Sequence, residues 1–441
     1  MRCRVLFRHM GEVETRTNRQ ELIDIERLVR QMIKADIMEK LKQYHQEHLI
    51  QFYDELSDSE KRNLERQLEE LDFSYIDIFE KKENSETEKA AIYEPLEAMR
   101  LEDIQKEKEQ FERAGISALK ECKVGAVLLA GGQGTRLGFD KPKGMFNIGV
   151  NKELYIFERI ISNLLDTVNQ TGCYIPLFVM TSEKNDAETR AFFKEKNYFG
   201  YDKKFIYFFV QRMAPSMDFE GKFYLEEKDR ISLSPNGNGG WFSSMIKSGL
   251  LKNINMMGIE WLNVFSVDNV LQRIADPTFV GATVLSGCPS SAKVVRKAAP
   301  DERVGVMCKK NGKPSIVEYY ELTEDMMHAK DSHGEPAYNY GVILNYMFRV
   351  KELVEININT LVNHMVEKKI PYINDSGEHI VPDKPNGYKF ETLILDMINM
   401  LDDCLVYEVE RKKEFAPVKN KEGVDSIDTA RELLQYNGIE I

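Results

Sequence analysis

The feature that most constrains the fold of this chain is an apolar run that ends in a glycine-rich loop. Residues 124–129 (Val-Gly-Ala-Val-Leu-Leu) are typical of a parallel strand buried on both faces. The loop reads Ala-Gly-Gly-Gln-Gly-Thr-Arg-Leu-Gly over residues 130–138, followed by Lys-Pro-Lys-Gly over residues 141–144. Glycines let a ligand approach the backbone, and successive N–H groups form a concavity for anions. A nucleoside triphosphate is the simplest ligand that fits this loop together with the neighbouring cations Arg136 and Lys143.

The loop fits neither of the two most familiar phosphate-binding motifs. A P-loop requires Gly-Lys followed by Ser or Thr at a fixed spacing, which this stretch lacks. The dinucleotide-binding motif requires a helix that begins at its last glycine and an acidic residue about 20 positions later. Pro142 and Gly144 delay any helix until about Lys152, and no strand ends in an acid at that distance. The loop is therefore of a third type, or it is an ordinary turn that binds nothing.

From Lys123 onward, apolar runs of strand length alternate with segments of helical periodicity. This alternation predicts an α/β fold with a Rossmann-like core and a mostly parallel sheet. Helices are predicted between the strands, for example at residues 154–167 and 187–196. The predicted strands are residues 124–129, 175–181, 205–210, 261–267, 293–296 and 304–307.

The chain divides into three predicted regions: an N-terminal helical region (1–112), a main domain (113–400) and a small C-terminal α+β domain (401–441). In the first region, Ser57 and Glu60 form a candidate capping box. Apolar residues recur there at helical spacing, which is typical of a packing face. They are Ile23, Ile25, Leu28, Val29, Met32, Ile33, Leu64, Leu68 and Leu71. We expect this region to pack on the main domain without chemistry of its own; a non-catalytic helical interaction protein is the alternative.

The composition excludes several classes of protein. The chain has 72 Asp and Glu against 60 Lys and Arg, a net charge of -12, which argues against binding to nucleic acid. Its six cysteines form no C-x-x-C pair, so we expect reduced thiols and no zinc site. No apolar run approaches the roughly 18 residues of a membrane span, and the first ten residues lack the apolar core of a secretory signal. We therefore expect a cytoplasmic protein without a membrane partner.

Further motifs, together with the glycine loop, carry a resemblance that covers nearly the whole chain from about Tyr44. The chain resembles the UDP-sugar pyrophosphorylases, the eukaryotic-type nucleotidyltransferases that make UDP-sugars from UTP and a sugar 1-phosphate. The resemblance implies a nucleotidyltransferase core in the predicted sheet, and the first 35 residues have no part in it. The matching segments are residues 46–53, 130–144, 232–240, 267–269, 303–306, 317–319 and 382–389.

Within the family the match is closest to the members that act on N-acetylglucosamine 1-phosphate. The resemblance thus implies a uridylyltransferase whose partners are UTP and that sugar phosphate, and whose products are UDP-N-acetylglucosamine and pyrophosphate. UDP-glucose, UDP-N-acetylgalactosamine or a broad range of UDP-sugars are the alternative products. The attacking phosphate oxygen is already ionised, so the reaction needs no general base and depends on charge stabilisation by cations and a divalent metal. Mg²⁺, or Mn²⁺, is the expected cofactor.

Three cations are the predicted catalytic groups, and one carboxylate is the predicted metal ligand. By resemblance, Arg136 and Lys143 hold the triphosphate and stabilise the leaving pyrophosphate. Arg can bind two phosphate oxygens with its planar fork, whereas Lys acts as a point charge. Lys389 matches a family lysine that contacts phosphate of the sugar nucleotide. Asp268 follows the apolar strand at 261–267, where a carboxylate beside a triphosphate suits Mg²⁺. The alternative for the three cations is that they are solvated surface charges, and the alternative for Asp268 is that it is a helix cap or turn residue.

The resemblance also implies two groups of substrate-binding residues. The first group matches the family's uridine contacts: Leu129, Ala130, Gly131, Gly132, Gln211, Gly237 and Asn238. The second group matches the sugar-binding segments, where a glutamate accepts hydrogen bonds from vicinal hydroxyls: Gly305, Glu318, Tyr319 and Asn339.

The chain departs from the family pattern at the expected sugar site. Val342 stands where the N-acetylglucosamine enzymes carry an Asn that faces the sugar, so that Asn339 or Asn345 must replace this contact or the sugar differs. Arg212 and Ala214 stand where the family usually has Gly and Leu. A Rossmann oxidoreductase is the remaining alternative enzyme class, although the acidic residue for the ribose is missing. The sequence does not predict the oligomeric state.

Overall fold

The protein is described from a computed structural model, which covers residues 35–83, 91–331, 334–356, 361 and 363–441. Two compact units divide the chain. The helical unit comprises Met1–Ser85, Ala214–Ser234 and Met365–Lys389, and the sheet unit comprises Glu86–Met213, Pro235–His364 and Phe390–Ile441. The apolar repeat at positions 23–33 lies outside the described residues, and the predicted boundaries at residues 112 and 400 stay predictions.

A ten-stranded mixed sheet forms the centre of the sheet unit. Its strands are β1 (Tyr93–Pro95), β2 (Val124–Leu129), β3 (Leu177–Thr181), β4 (Ile206–Val210), β5 (Trp261–Ser266), β6 (Ser290–Arg296), β7 (Val306–Lys310), β8 (Lys313–Val317), β9 (Tyr340–Arg349) and β10 (Leu405–Glu408). The main path runs β1-β7-β9-β5-β2-β3-β4, β6 pairs with β9 and β10, and β8 pairs with β7.

The sheet has a parallel half and an antiparallel half. β5, β2, β3 and β4 are parallel neighbours, and β6 is parallel to β10. β9 runs antiparallel to β5, β6 and β7, and β7 and β8 form an antiparallel hairpin. Asn311 and Gly312 turn this hairpin with φ angles of 54° and 81°, the positive values that a type I′ turn requires at both central residues. The predicted α/β, Rossmann-like fold is confirmed, and its parallel half contains the glycine loop.

Helices cover both faces of the sheet. They are α4 (Leu101–Lys120), α5 (Ile156–Thr171), α6 (Asp186–Glu195), α7 (Trp241–Lys247), α8 (Leu250–Met257), α9 (Pro277–Ser286), α10 (Glu324–His328), α11 (Val350–Glu355), α12 (Ile394–Asn399), α13 (Arg411–Glu414) and α14 (Ile427–Tyr436). Successive residues of β2 contribute to two different apolar cores, Ala126 and Leu128 to one and Val127 and Leu129 to the other. This confirms that the strand is buried on both faces.

Among the described residues, the helical unit contains three α-helices and two inserted segments of the chain. The helices are α1 (residues 35–43), α2 (Asp58–Glu70) and α3 (Ser74–Glu83). The predicted capping box is present, since Glu60 N donates to Ser57 Oγ and Ser57 N donates to the Glu60 carboxylate. Leu64 and Leu68 are buried, as the helical spacing predicted.

Residues 46–53, one of the matching sequence segments, bind an inserted hairpin of the helical unit. The Gln46 side chain donates to Gly221 O (2.9 Å) and accepts from Phe223 N (2.9 Å). In the second insertion, Gly387 pairs with Asp218 and Tyr388 with Met217. The motif at 46–53 therefore stabilises a tertiary contact between segments that are distant in sequence.

Two further observations concern membrane-spanning helices and cysteine thiols. No helix in this part of the chain is long and apolar enough to span a membrane. The cysteines that the structure describes, which are Cys122, Cys173, Cys288, Cys308 and Cys404, are free thiols.

Candidate active site

A cavity of about 250 Å³ opens at the carboxyl ends of β2 and β5 in the sheet unit. These two strands are parallel neighbours in register, with Leu129 opposite Ser266. The glycine loop leaves β2 at this point and residues 266–268 leave β5, so that both segments line the same cavity. Ligands of open α/β sheets bind at this edge. Most of the predicted nucleotide-binding residues thus lie together.

The glycine loop is held by its own backbone hydrogen bonds. Gly134 N donates to Lys141 O (2.9 Å), and Lys143 N donates to Gly132 O (3.2 Å). Asn185 Nδ2, from the neighbouring segment, donates to Ala130 O (3.0 Å). A Cβ on Gly131 would lie 2.8 Å from Gln211 Oε1, so that a larger residue would displace the Gln211 side chain. The loop therefore presents a preorganised backbone to the cavity.

Lys143 and Asp268 form an ion pair in the cavity. Lys143 is 6% exposed, and its Nζ donates to Asp268 Oδ1. Burial lowers the pKa of the Lys143 ammonium, whereas the Asp268 carboxylate opposes this effect; the nearby cations Arg136 and Lys419 lower the pKa further. Arg136, Lys143 and Asp268 thus line the same cavity, and their roles stay predictions.

Lys419 is a cation of the cavity that the sequence analysis missed. It lines the same cavity and follows Val418, whose N donates to Asp268 O (2.9 Å). Lys419 Nζ also lies 3.1 Å from Asp425 Oδ2. No glycine loop or apolar strand precedes Lys419, so local sequence did not indicate it. The motifs that carry the family resemblance end at residue 389, and they gave no signal for Lys419 either.

The predicted uridine-binding residues meet on one side of the cavity. Gln211 Nε2 donates to Gly237 O (2.6 Å), and Asn238 Oδ1 accepts from Ile394 N (2.9 Å). Gly237 has a φ of 83°, and a Cβ there would lie 2.2 Å from Thr392 O. The loop at 236–240 is therefore fixed against the start of α12, and only glycine fits at position 237.

The predicted sugar-binding residues are only partly brought together. A Cβ on Gly305 would lie 3.5 Å from Val342 Cγ2 and 3.7 Å from the Glu318 carboxyl carbon, so these three residues meet. Burial raises the pKa of the Glu318 carboxyl, Glu321 raises it further, and Lys419 lowers it. Glu318 is therefore within electrostatic reach of a cation that lines the cavity.

The remaining candidates for the sugar site have other contacts. Asn339 Oδ1 accepts from Lys297 N (3.2 Å), and the exposed Tyr319 ring packs on Tyr320 with centroids 5.2 Å apart. Asn345 is fully buried and bonds Asn263 within the sheet. The expectation that Asn345 supplies the polar group which Val342 lacks is therefore wrong, because the amide of Asn345 is committed to the core.

Lys389 belongs to the helical unit. It follows Gly387, where a Cβ would lie 2.1 Å from Met217 O, and Asn386, whose side chain bonds Tyr224 and Ile370. The segment before Lys389 is thus rigidly held. Its predicted contact with phosphate stays a prediction.

The residues of the cavity fit a divalent cation that is shared with phosphate. Asp268 is partly exposed there and already binds the Lys143 ammonium, which shows that this carboxylate attracts a positive charge. Within the described chain, no cluster of three or more His, Cys, Asp or Glu residues is placed to hold a metal alone. One carboxylate with phosphate oxygens is, however, a usual arrangement for Mg²⁺.

Comparison with known proteins gives a consistent result. The family model described as UTP--glucose-1-phosphate uridylyltransferase matches residues 69–430. UDP-N-acetylhexosamine pyrophosphorylase-like protein 1 from Homo sapiens is 35% identical over 91% of this chain and 84% of its own. UDP-N-acetylglucosamine diphosphorylase 2 from Arabidopsis thaliana is 36% identical, over 90% and 82%. The crystal structure of uridine diphosphate N-acetylglucosamine pyrophosphorylase from Trypanosoma brucei superposes with a TM-score of 0.77 at 28% identity, over 91% and 84%.

Proposed function

Because this chain belongs to the UTP--glucose-1-phosphate uridylyltransferase family, we propose that it transfers the uridylyl group of UTP to N-acetylglucosamine 1-phosphate. The observation that carries this proposal is the convergence of Arg136, Lys143, Lys419 and Asp268 on one cavity at the carboxyl ends of β2 and β5. Three cations beside a glycine loop suit a triphosphate, in a chain whose overall charge is negative. The names of several relatives support N-acetylglucosamine as the sugar.

In the proposed reaction, an oxygen of the sugar phosphate attacks the α-phosphorus of UTP. The bond from this phosphorus to the bridging oxygen of the β-phosphate breaks, and pyrophosphate leaves with that electron pair. No proton must be removed from the nucleophile, so the protein has to position two anions and stabilise their charge. Arg136, Lys143 and Lys419 supply positive charge at the cavity for this purpose.

Mg²⁺, or Mn²⁺, is the proposed cofactor, with Asp268 as its protein ligand. The ion would neutralise part of the triphosphate charge and help to orient it. Lys143, which binds Asp268 in the free protein, would then be available to the phosphates. Because Lys143 is buried and bonds Asp268, its ammonium lies beside the proposed ligand of the ion.

The substrate contacts are proposed from the family resemblance and, for the residues that line the cavity, also from its geometry. The backbone of residues 129–132, with Gln211, Gly237 and Asn238, would hold the uridine. Gly305, Glu318, Tyr319 and Asn339 would hold the sugar, and Lys389 its phosphate. A cytosolic location is proposed because the described cysteines are free thiols.

A second candidate for the sugar follows from one observation. Val342 places a methyl group near Gly305 and Glu318, where an amide would be needed to bind a polar substituent. UDP-glucose, UDP-N-acetylgalactosamine or a broad range of UDP-sugars are therefore the alternative products.

The test is pyrophosphate release from UTP and Mg²⁺ with a panel of sugar 1-phosphates. We expect the highest kcat/KM with N-acetylglucosamine 1-phosphate. A preference for glucose 1-phosphate or N-acetylgalactosamine 1-phosphate would leave the reaction type intact and overturn the sugar assignment. No release with any sugar would overturn the enzymatic proposal.

A further inference from the structure

Asn269 joins the turn at the end of β5 to a segment near the end of the chain. It is buried, and its Nδ2 donates to Glu414 O (2.7 Å). Its Oδ1 accepts from Ala416 N (2.9 Å), and Val270 N donates to Ala416 O (3.2 Å). One side chain therefore satisfies a backbone acceptor and a backbone donor of residues 414–416. We call residues 414–419 the C-terminal strap.

The strap delivers a cation to the cavity. Val418 N donates to Asp268 O (2.9 Å), and Lys419, the next residue, lines the cavity. Asn269 is adjacent to Asp268 in sequence, so that the residue which fixes the strap and the residue which faces the cavity belong to the same turn. The hydrogen bonds of Asn269, together with the bond from Val418 N to Asp268 O, thus hold the backbone of Lys419 beside Asp268, while Asp425 pairs with Lys419 Nζ.

Glu414, the first residue of the strap, is also anchored in the core through its side chain. The fully buried Lys293 of β6 donates to Glu414 Oε2 (2.5 Å) and to Arg273 O (3.1 Å). This ion pair holds the Glu414 side chain, whereas Asn269 holds the Glu414 carbonyl. Two anchors at one residue leave residues 415–419 little freedom to shift.

We propose that Asn269 is a positioning residue, which holds Lys419 and Asp268 at a fixed distance across the phosphate cavity. The inference rests on the proposed function and deepens it, because it gives Asn269, which touches no substrate, the role of positioning charged groups. Charge stabilisation in phosphoryl transfer depends on groups that are in place before the reaction begins, and a misplacement of 1 Å can cost about a hundredfold in rate.

The test combines Asn269→Ala with a matched control and a double variant. Asn263 is also a fully buried asparagine with backbone partners, since it donates to Tyr346 O (2.9 Å) and accepts from Ala275 N (2.7 Å), yet it does not bond the strap. Asn263→Ala therefore reports the effect of removing a buried amide from the same sheet. The double variant Asn269→Ala with Lys419→Ala reports whether Asn269 acts through Lys419.

We expect Asn269→Ala to lower kcat/KM for Mg²⁺–UTP by at least about tenfold, with a smaller effect in Asn263→Ala at a similar decrease in thermal stability. In the Lys419→Ala background, Asn269→Ala should have little further effect. Additive losses, or equal losses in the two asparagine variants, would overturn the positioning role. Calorimetric binding of Mg²⁺–UTP to the wild-type protein separates the two proposals: a wild-type protein that neither binds nor converts UTP refutes the proposed function and this inference with it.

Discussion

At the scale of single residues, the ion pair between Lys143 and Asp268 is the feature that links packing to the proposed chemistry. A buried ammonium is costly unless it is paired, and the partner of Lys143 Nζ within the described residues is a cavity carboxylate. The pair thus keeps a cation ready in the free protein. When an anionic ligand enters, the same ammonium can exchange part of its contact with Asp268 for a phosphate oxygen without moving far.

Lys143→Met tests this role, because methionine keeps an unbranched side chain of similar length and removes the charge. We expect kcat to fall by about a hundredfold or more, as for other single electrostatic groups that stabilise a transition state, while the protein stays folded. Steady-state pyrophosphate release is the measurement. The matched control is Lys141→Met, an exposed lysine two residues earlier in the loop. Equal rates in wild type and Lys143→Met would contradict the assignment.

The pH dependence of the reaction provides a second test of Lys143. Burial lowers its pKa below that of an ordinary lysine, and only the protonated form can stabilise phosphate. As the pH rises through this lowered pKa, kcat/KM for UTP should therefore fall. In Lys143→Arg the charge is retained at all accessible pH values, so we expect its alkaline limb to lie at higher pH than that of the wild type. Superimposable profiles for the two proteins would show that another group controls the alkaline limb.

At the scale of secondary-structure elements, the contact between α4 and α9 sets a strict size limit on two glycines. A Cβ on Gly115 would lie 1.8 Å from Pro277 O, and a Cβ on Gly281 would lie 1.7 Å from Phe111 O. Both clashes involve backbone atoms, which cannot move aside as a flexible side chain can. The two helices therefore pack with their backbones in direct contact.

Gly281→Ala should consequently destabilise the protein, although alanine normally favours a helix. We expect a loss of about 1–3 kcal/mol in the free energy of unfolding, the usual range for an extra group forced into a packed core. Urea denaturation of the two proteins measures this difference. Ser286→Ala is the control, since Ser286 is an exposed residue of the same helix. An unchanged or higher stability of Gly281→Ala would contradict the direct backbone contact between α4 and α9.

Local patterns predicted individual elements well and their long-range partners poorly. The apolar run before the glycine loop indicated β2 because a strand buried on both faces must be apolar throughout. Asp268 was predicted because it follows the apolar strand β5, and ligands of open α/β sheets bind at the carboxyl ends of the strands. Lys419 was missed because its position depends on Asn269 and Asp268, about 150 residues earlier in the numbering. Periodicity carries no information about such pairings, and the sheet's antiparallel half was likewise not predicted.

At the scale of the whole molecule, the order of the sequence and the order of the folded units differ. The helical unit takes in residues 214–234 and 365–389, which interrupt the sequence of the sheet unit. Asn63 donates to Asp229 Oδ2 (2.8 Å), Gln67 donates to Asp229 O (2.8 Å), and Ile231 N donates to Gln67 Oε1 (3.0 Å). Residues 46–83 therefore supply partners for polar groups of the insertion at 214–234, and this region is part of a fold rather than a separable extension.

Removal of residues 1–90 should accordingly leave the two insertions without their packing partners. Phe223 is buried in the full chain and lies 6.2 Å from Phe73 between ring centroids, and its backbone N–H is bonded by Gln46. We expect the truncated chain to expose these groups, because an unpaired backbone donor and an unburied aromatic ring are both unfavourable.

Limited proteolysis with mass spectrometry should then show early cleavage within 214–234 and 365–389. The single variant Gln46→Ala should show the same cleavage near 221–223 more slowly. Equal resistance of truncated and full chains at these sites would show that the insertions fold without residues 46–83.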